Sequence, residues 1–388
     1  MKVLGMNGNN AVAYAMKQIN PDVVAGYPIT PQTIAIEKFS EYVADGEVDT
    51  EFVATESEHS AMSACIGASA AGGRVITSTA SAGLAFMWEM LYVAASLRLP
   101  IVMNVMNRAL SAPINIHCDH SDSMGARDSG WIQIHGENVQ EGYDNLIQAV
   151  KIAETARLPV MPCFDGFIVS HAVERLEVLE NEKVKKFVGS YKPEHSLLDV
   201  ENPATFGPFD MYDYYMEHKM QEHEAMKKAL KIVKDVGKEY EKISGRKYDI
   251  LSEHRLDDAD IALVALGSTA GTARDAIDNM RKKGINAGLL KLRLFRPFPA
   301  EDIKNALKDM KAVAVLDRSD SFGAFGGPVF SELRSAMYKT RNMEIVNYIY
   351  GLGGRDITSE HIKKVISDMD GISKTGEVKE YVQYLGVR

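Results

Sequence analysis

Short apolar segments alternate with helical patterns along this chain, and the alternation constrains the fold more than any other feature. Strands are predicted at Lys2–Gly5, Val23–Ala25, Glu51–Ala54, Arg74–Thr79, Pro100–Met106 and Pro159–Phe164. Helices are predicted between them, at Ala11–Gln18, Thr33–Val43, Ala61–Ala71, Leu84–Ala95 and Val139–Ala156, with a turn at Ser81–Gly83. Apolar strands separated by helices are typical of a parallel sheet covered on both faces. We therefore predict an α/β fold built on a doubly wound parallel sheet.

A second α/β unit is expected after a long charged helix at Met220–Ile243. Its strands are predicted at Ile261–Leu266, Ala287–Leu292 and Ala312–Asp317. Two units suit a chain of 388 residues, because single domains are usually shorter. We predict a first domain over residues 1–245, which includes the connector helix, and a second domain over residues 246–388.

The charge and hydropathy of the chain exclude several functional classes. A net charge of −9 leaves no basic stripe for binding nucleic-acid phosphates. No apolar stretch approaches the length of a membrane span, and the N-terminal residues do not resemble a secretory signal. We therefore expect a cytoplasmic protein that binds neither nucleic acid nor membrane.

The three cysteines, Cys65, Cys118 and Cys163, lie far apart and form no CxxC pair. A four-cysteine iron–sulfur cluster or a structural zinc site needs more closely spaced ligands. We therefore expect no metal held by this chain.

The segment Gly26–Pro31 forms a rigid turn between a predicted strand and a predicted helix. Pro28 and Pro31 fix their own φ angles and keep the preceding residues out of the α region. Such a turn lies at the carboxyl end of a strand, where open α/β sheets bind ligands. The Thr30 hydroxyl would then face a small polar substrate; alternatively, the turn only sets the angle of the next helix.

Two acidic residues, Glu56 and Glu58, follow the next strand and begin a helix rich in small residues. The helix dipole favours negative charge there. If Glu58 is buried beside a ligand, its carboxyl group can share a proton with a ring nitrogen. The alternative is that both residues are solvated first-turn acids, and the local sequence favours this interpretation.

Arg108 follows a buried strand and is expected at the same edge of the sheet as Thr30 and Glu58. A guanidinium beside a hydroxyl suits a small carboxylate, which arginine binds with two parallel hydrogen bonds. Pairing of Arg108 with Asp119 or Asp122 is an equally good interpretation.

Two further motifs carry weaker signals. His117 and His120 with the neighbouring aspartates suggest a metal site, but their spacing is irregular and favours a hydrogen-bonded loop. The turn Gly267–Gly271 resembles a phosphate-binding turn, yet it lacks the full glycine fingerprint and a P-loop lysine.

A set of motifs in this order resembles a known family: Gly26-Tyr-Pro-Ile-Thr-Pro31, Glu56-Ser-Glu58-His-Ser-Ala61, Thr79-Ala-Ser-Ala-Gly-Leu84, Asn107-Arg-Ala-Leu-Ser-Ala-Pro113, Asp119-His-Ser-Asp122, Gly130-Trp131 and Phe164-Asp-Gly-Phe167. The chain resembles the alpha subunit of multi-subunit pyruvate:ferredoxin oxidoreductases, also called pyruvate synthases, of the 2-oxoacid:ferredoxin oxidoreductase family. The resemblance covers essentially the whole chain. The segment Arg296–Pro299 and its surroundings resemble the transketolase C-terminal-like domain of that subunit.

The resemblance implies thiamine diphosphate chemistry at a site shared with another chain. The first domain is similar to the one that holds the aminopyrimidine ring, and Glu58 matches the glutamate that hydrogen-bonds the ring N1′. Spacing from the Thr79–Leu84 motif selects Glu58 rather than Glu56. Cofactor contacts are expected from Tyr27, Pro28, Ile29 and Glu58, and contacts to the substrate carboxylate from Thr30 and Arg108.

The implied reaction is the reversible, coenzyme A-dependent oxidative decarboxylation of pyruvate to acetyl-CoA and CO₂, with electrons passing to ferredoxin. The sequence has no Gly-Asp-Gly motif with a distal asparagine to hold magnesium diphosphate. The Mg²⁺ and the [4Fe–4S] clusters are therefore expected on partner chains, which the resemblance identifies as beta, gamma and delta subunits.

Two alternatives remain open at this point. The same chemistry would serve a branched-chain 2-oxoacid, 2-oxoglutarate or oxalate, although a compact threonine contact favours pyruvate. The chain would alternatively be a non-catalytic scaffold for its partners. A third interpretation, a free-standing nucleotide-binding α/β protein, is disfavoured because the sequence has neither phosphate-binding fingerprint.

Overall fold

Fifteen strands occur among the residues that the computed structural model describes, which are 2–340 and 343–388. Those of the first half are β1 (Lys2–Asn7), β2 (Val23–Gly26), β3 (Glu51–Ala54), β4 (Val75–Thr79), β5 (Val102–Asn107), β6 (Ile132–Gly136), β7 (Val160–Asp165) and β8 (Val173–Val178). Those of the second half are β9 (Leu251–His254), β10 (Ile261–Ala265), β11 (Ala287–Leu292), β12 (Leu294–Arg296), β13 (Ala312–Asp317), β14 (Glu344–Tyr350) and β15 (Val382–Leu385).

The helices alternate with the strands as the sequence predicts. In the first half they are α1 (Gly8–Ile19), α2 (Thr33–Ala44), α3 (Glu58–Ala70), α4 (Ser81–Phe86), α5 (Trp88–Ser96), α6 (Ser121–Gly125), α7 (Val139–Ala156), α8 (Asn181–Val188) and α9 (Tyr215–Ser244). They continue as α10 (Thr269–Arg281), α11 (Ala300–Leu307), α12 (Pro328–Ala336) and α13 (Ser359–Thr375), with a 3₁₀ turn at Leu352–Gly354. No described helix is both long enough and apolar enough to cross a membrane.

The first sheet has seven strands in the order β12, β6, β7, β5, β4, β2, β3. All neighbours are parallel except β12, which comes from the second half of the chain and runs antiparallel to β6. The sheet is covered on both faces: Val24 and Val102 belong to one hydrophobic core, whereas the adjacent Ala25 and Met103 belong to another. This alternation follows from the two-residue period of a strand. The prediction of a doubly wound parallel sheet is confirmed.

A second sheet has the order β15, β14, β13, β10, β11, β9, with only β9 antiparallel to its neighbour. It also lies between two hydrophobic cores, one containing α10 and α13 and the other containing α11 and α12. The boundary at residue 245 separates most elements of the two sheets and stays a prediction, since β12 crosses it.

Helix α9 connects the two sheets and is fixed by one buried carboxylate. Asp144 on α7 is fully buried and accepts hydrogen bonds from the hydroxyls of Tyr240 and Tyr248, at 2.5 and 2.6 Å. The guanidinium of Arg246 donates to the same carboxylate from Nε, at 2.6 Å, and from Nη2, at 2.8 Å. Three residues at the end of the connector are therefore held to the first sheet's helical layer.

Strand β6, which lies inside the first sheet, was not predicted, and two predicted elements take a different form in the structure. The strand at Lys2–Gly5 exists, but β1 pairs antiparallel with β8 in a separate two-stranded sheet. Its residues are half-buried or exposed, which explains why it does not enter the doubly covered sheet. The segment predicted as a turn at Ser81–Gly83 opens helix α4, and the helix predicted at Leu84–Ala95 is divided at Met87.

Candidate functional site

The carboxyl ends of β5, β4, β2 and β3 lie side by side at one edge of the first sheet, because these neighbouring strands are parallel. Thr30 follows β2, Glu58 follows β3 and Arg108 follows β5. The sequence prediction that these three residues share an edge is therefore confirmed. Open α/β sheets bind ligands at this edge.

The turn after β2 is held by hydrogen bonds from several elements. Gln32 is fully buried; its Oε1 accepts from the amide of Ile29 at 3.1 Å, and its Nε2 donates to the carbonyl of Ser78 at 3.0 Å. Asn9 on α1 donates from Nδ2 to the carbonyl of Pro31 at 2.9 Å. These contacts make the turn rigid and leave Tyr27, Pro28 and Thr30 exposed at the sheet edge.

Glu58 is the first residue of α3, and its relative exposure is only 7%. Ser57 caps the helix by accepting from the amide of Ser60 at 3.2 Å. In the described part of the chain, nothing donates a hydrogen bond to the Glu58 carboxyl group. Glu56 differs, since it is exposed and accepts from the Ser60 hydroxyl at 2.6 Å, a bond that lowers the pKa of Glu56. The interpretation as a solvated helix-start acid therefore fits Glu56 and is wrong for Glu58.

Gly83 on α4 lies against the carboxyl group of Glu58. A Cβ atom at position 83 would be 2.6 Å from Glu58 Oε1 and 2.5 Å from Thr79 Oγ1, so no other residue fits there without rearrangement. Thr79 Oγ1 is itself buried and has no hydrogen-bond partner among the described residues. A buried hydroxyl without a partner and a carboxyl group that accepts no hydrogen bond from the described residues therefore lie together at this edge.

Asp122 positions the backbone around these groups. Its Oδ2 accepts from the amides of Ser81 and Arg108, both at 2.9 Å, and its Oδ1 accepts from Asn107 Nδ2 at 2.8 Å. Ser81 has a φ of 48°, a strained value for serine that the bond to Asp122 helps to hold. Burial raises the pKa of the Asp122 carboxyl to about 6, against the opposing effect of these hydrogen bonds.

Sequence reasoning assigned no role to Ser81, Gly83 or Thr79 and treated Asp122 only as a pairing or metal candidate. The Thr79–Leu84 motif was the sequence signal that could have identified Thr79, Ser81 and Gly83. Its serine and glycine follow directly on a strand, where a sharp turn would be needed.

Arg108 is buried, with 7% relative exposure, and its guanidinium makes no ion pair with a carboxylate in residues 2–340 and 343–388. It donates from Nη1 to the carbonyl of Thr30 at 2.9 Å and from Nε to the carbonyl of Asn115 at 2.8 Å. Burial lowers the pKa of Arg108, and the nearby Asp122 opposes that shift. Pairing with Asp119 or Asp122 through the guanidinium is not observed, so this interpretation was wrong. The positive charge remains available to an external carboxylate.

The loop after β5 places His120 in a buried cluster rather than in a metal site with its neighbouring aspartates. His120 Nε2 lies 2.7 Å from Asp165 Oδ1, and Arg318 Nη1 donates to Asp165 Oδ2 at 3.1 Å. Cys118, His120 and Asp165 bring three ligand-type atoms within 4.8 Å of one another. Because the Arg318 cation already pairs with Asp165, we interpret this cluster as a clamp between the two sheets.

The glycine turn Gly267–Gly271 also meets this clamp. Ser268 donates to Asp165 Oδ2 from its amide, at 3.1 Å, and from its hydroxyl. An internal carboxylate thus takes the position that an anion would occupy at the start of α10. This arrangement argues against a phosphate site in that turn.

Large apolar side chains are exposed on the segments that follow β2, β4 and β5. They are Tyr27, Phe86, Trp88, Ile114 and Ile116. Exposed apolar side chains that surround a polar site are typical of an interaction surface. The edge therefore has the character of a site that another surface completes.

Comparisons with known proteins give a consistent result. The family described as pyruvate flavodoxin/ferredoxin oxidoreductase, thiamine diphosphate-binding, matches residues 14–238. The family described as pyruvate:ferredoxin oxidoreductase core domain II matches residues 259–362.

The chain is also similar to two curated relatives and to one solved structure. "Pyruvate synthase subunit PorA" of Thermotoga maritima is 52% identical over 99% of this chain and 98% of the relative. The protein of the same name from Methanocaldococcus jannaschii is 51% identical over 94% of each chain. A 2-oxoglutarate:ferredoxin oxidoreductase from Magnetococcus marinus shares the fold, with a TM-score of 0.72 and 19% identity. That match covers 95% of this chain, which spans 65% of the solved chain.

Proposed function

The chain belongs to the pyruvate:ferredoxin oxidoreductase family, and we propose that it is the subunit that contributes the aminopyrimidine side of a shared thiamine diphosphate site. The proposed reaction converts pyruvate and coenzyme A to acetyl-CoA and CO₂, reduces ferredoxin and runs in both directions. The names of the PorA relatives, which cover nearly the whole chain, support pyruvate as the substrate.

The observation that carries the proposal is the Glu58 carboxyl group, which belongs to a residue only 7% exposed at the sheet edge and accepts no hydrogen bond from the described residues. Its oxygens are not among the fully buried unsatisfied atoms, so they remain within reach of a ligand. The neighbouring Thr79 hydroxyl is also unsatisfied. Both fit a heteroaromatic ring that carries nitrogen atoms, so the residues present suit the thiamine pyrimidine.

Bound thiamine diphosphate supplies the carbanion chemistry that releases CO₂ from a 2-oxoacid. Glu58 would hold the ring nitrogen of the bound cofactor and could share a proton with it. A Cβ atom at position 83 would lie 2.6 Å from Glu58 Oε1, so a larger residue there would displace the carboxyl group. Glycine at this position therefore lets Glu58 keep the position from which it would contact the ring.

Thr30 and Arg108 are proposed to orient the carboxylate of pyruvate. The bond from Arg108 to the Thr30 carbonyl ties the two residues together, so the guanidinium and the hydroxyl approach the substrate as a unit. Tyr27, Pro28 and Ile29 belong to the same rigid turn, and we propose that they contact the cofactor.

The site needs partner chains, which we propose to be beta, gamma and delta subunits. All three cysteines are buried thiols, and no diphosphate-binding motif occurs in the sequence. We place Mg²⁺, the diphosphate contacts and the [4Fe–4S] clusters on those chains. The exposed apolar residues around the sheet edge form a surface that a partner would cover.

We expect the purified chain alone to be inactive and the complex reconstituted with its partners to oxidise pyruvate. The measurement is coenzyme A-dependent reduction of ferredoxin, with pyruvate, 3-methyl-2-oxobutanoate and 2-oxoglutarate compared as substrates. The highest kcat/KM is expected for pyruvate. A preference for either larger acid would overturn the substrate assignment but retain the chemistry, whereas turnover by the lone chain would contradict the shared site.

Replacing Arg108 by glutamine should raise the KM for pyruvate by about tenfold or more, since charge-assisted hydrogen bonds to the carboxylate are lost. The kcat should change less, because the substitution leaves Glu58 in place. Arg127→Gln is a matched control, because Arg127 lies on the same loop and its side chain is 32% exposed. An unchanged KM in Arg108→Gln would exclude the proposed carboxylate contact.

A further inference from the structure

A cleft of about 850 Å³ lies between α7 and the edge of the second sheet. Its lining comes from the end of the connector, from β9, β11 and α11, and includes Tyr248, Lys291 and Arg293. None of the residues proposed above to bind the cofactor or the substrate lines it. Cavities of this size hold small organic ligands.

The floor of the cleft contains a buried cation that forms no ion pair within the part of the chain that the structure describes. Arg293 is only 3% exposed, and it donates from Nε to Asn145 Oδ1 and from Nη2 to Gln148 Oε1, both at 3.0 Å. These acceptors are neutral amides on α7. The remaining nitrogen, Nη1, is buried and has no hydrogen-bond partner in the described residues. The guanidinium carbon lies 5.0 Å from the centroid of the Tyr248 ring, and Glu141, Asp144 and Asp249 act on the charge only from beyond ion-pairing distance. Burying the Nη1 donor unsatisfied is costly.

The neighbouring cations of the cleft do not share this property. Lys291 forms ion pairs with Glu137 and Glu141, and Arg274 pairs with Glu137 as well. Glu137 and Glu141 are thus already engaged by other cations. Arg293 differs from Lys291 and Arg274 because no carboxylate of the described residues lies within ion-pairing distance of it.

The rim of the cleft is acidic on balance, because the exposed Asp249, Glu253 and Asp257 outnumber the exposed Lys247. Glu253 on β9 and Asp257 after it are exposed, and neither forms an ion pair within residues 2–340 and 343–388. Acidic side chains at the mouth repel polyanions such as nucleotides and attract ammonium groups. A single negative charge would reach Arg293 more readily if the same molecule carried a positive charge.

We propose that this cleft binds a small amino acid in its zwitterionic form. The carboxylate accepts hydrogen bonds from Arg293, including one from Nη1, and the ammonium group lies toward Glu253 and Asp257. Arg293 stands on the second sheet's side of the cleft and bonds to α7 of the first sheet's layer. The ligand would therefore bind where the two sheets meet and stabilise their association, because it binds only the folded arrangement.

Calorimetric titration of the full purified chain tests the proposal with five probes of matched structure. Glycine and 4-aminobutanoate carry both charges at two different separations, whereas acetate and butanoate lack the ammonium group and butylamine lacks the carboxylate. We expect one of the amino acids to bind with a Kd of about 1 mM or lower, more tightly than its matched acid, with no binding of butylamine. Failure of both amino acids to bind below about 10 mM would overturn the proposal.

Substitutions test the contributions of the floor and of the rim to binding separately. Arg293→Gln should weaken binding of the amino acid by about tenfold or more. The paired change Glu253→Gln and Asp257→Asn affects only exposed residues, so it should fold normally and should abolish the preference for the amino acid over its matched acid. Arg255→Gln, an exposed arginine on the adjoining segment, is the control and should bind as the native chain does. If Arg293→Gln fails to fold, the rim variant still decides the result, because an unchanged preference would contradict the proposed orientation.

Discussion

Replacing Glu58 by glutamine should lower the turnover of the reconstituted complex by a factor of about 10²–10⁴, the range for loss of a positioned proton-transfer group. Glutamine preserves the size of the side chain and its burial against Gly83. It presents an amide in place of a carboxyl group and cannot share a proton with the cofactor's ring nitrogen. The measurement is steady-state ferredoxin reduction with saturating pyruvate and coenzyme A.

Glu56→Gln is the matched control for this experiment, because Glu56 is exposed and lies two residues before Glu58, just outside the same helix. The turnover of the Glu56→Gln complex should stay close to that of the native complex. Titration of thiamine diphosphate into the native and Glu58→Gln complexes separates loss of proton transfer from loss of cofactor binding. Near-normal turnover in Glu58→Gln would favour the non-catalytic scaffold over the proposed function.

The contrast between Glu56 and Glu58 shows which part of the site is predictable. Parallel strands separated by helices have their carboxyl ends at one edge, so the sequence alone predicts that Thr30, Glu58 and Arg108 meet there. The local pattern does not decide which glutamate is buried, since both stand at the predicted start of the same helix and both suit its dipole. Only the family resemblance, through spacing from the Thr79–Leu84 motif, selected Glu58. That choice depends on the approach of Gly83 from a different helix, a long-range contact that the local pattern does not contain.

The pairing of Arg108 shows the same limit. The loop sequence offered Asp119 and Asp122 as partners for its guanidinium, and charge alone could not exclude them. In the structure Asp122 binds backbone amides, including that of Arg108 itself, and Asp119 binds Ser121 and the amide of Gly353. Buried carboxylates that accept from the backbone are not available to neighbouring cations, and this preference appears only once the loop is folded.

The interdomain clamp was the least predictable feature. Asp165 ends a strand of the first sheet, while Arg318 and Ser268 follow strands of the second sheet more than a hundred positions later. The sequence gives no reason to pair Asp165 with either of them. Such contacts arise from the packing of two sheets and have no local periodicity.

Replacing Asp165 by asparagine should destabilise the chain by about 3–5 kcal/mol, the cost of removing one partner from a buried ion pair. Arg318 is 2% exposed and would keep its charge in the interior without the carboxylate. The hydrogen bonds from Ser268 and His120 would meet a neutral amide. Denaturant unfolding of the full chain at neutral pH provides the measurement, with the midpoint and the slope compared between variants.

Asp235→Asn is the control, because it removes an aspartate from a solvent-exposed pair with Lys231 on α9 and should leave the midpoint almost unchanged.

The effect of Asp165→Asn should also depend on pH. Burial alone would raise the pKa of Asp165, but His120 and Arg318, with hydrogen bonds from His120 and Ser268, hold that pKa well below its usual range. The carboxylate therefore contributes stability above the unfolded-state pKa of about 3.9, and this contribution is lost progressively as the pH falls below that value. The difference between native chain and variant should shrink on acidification; a difference that stays constant with pH would show that lost packing, rather than charge, weakens the variant.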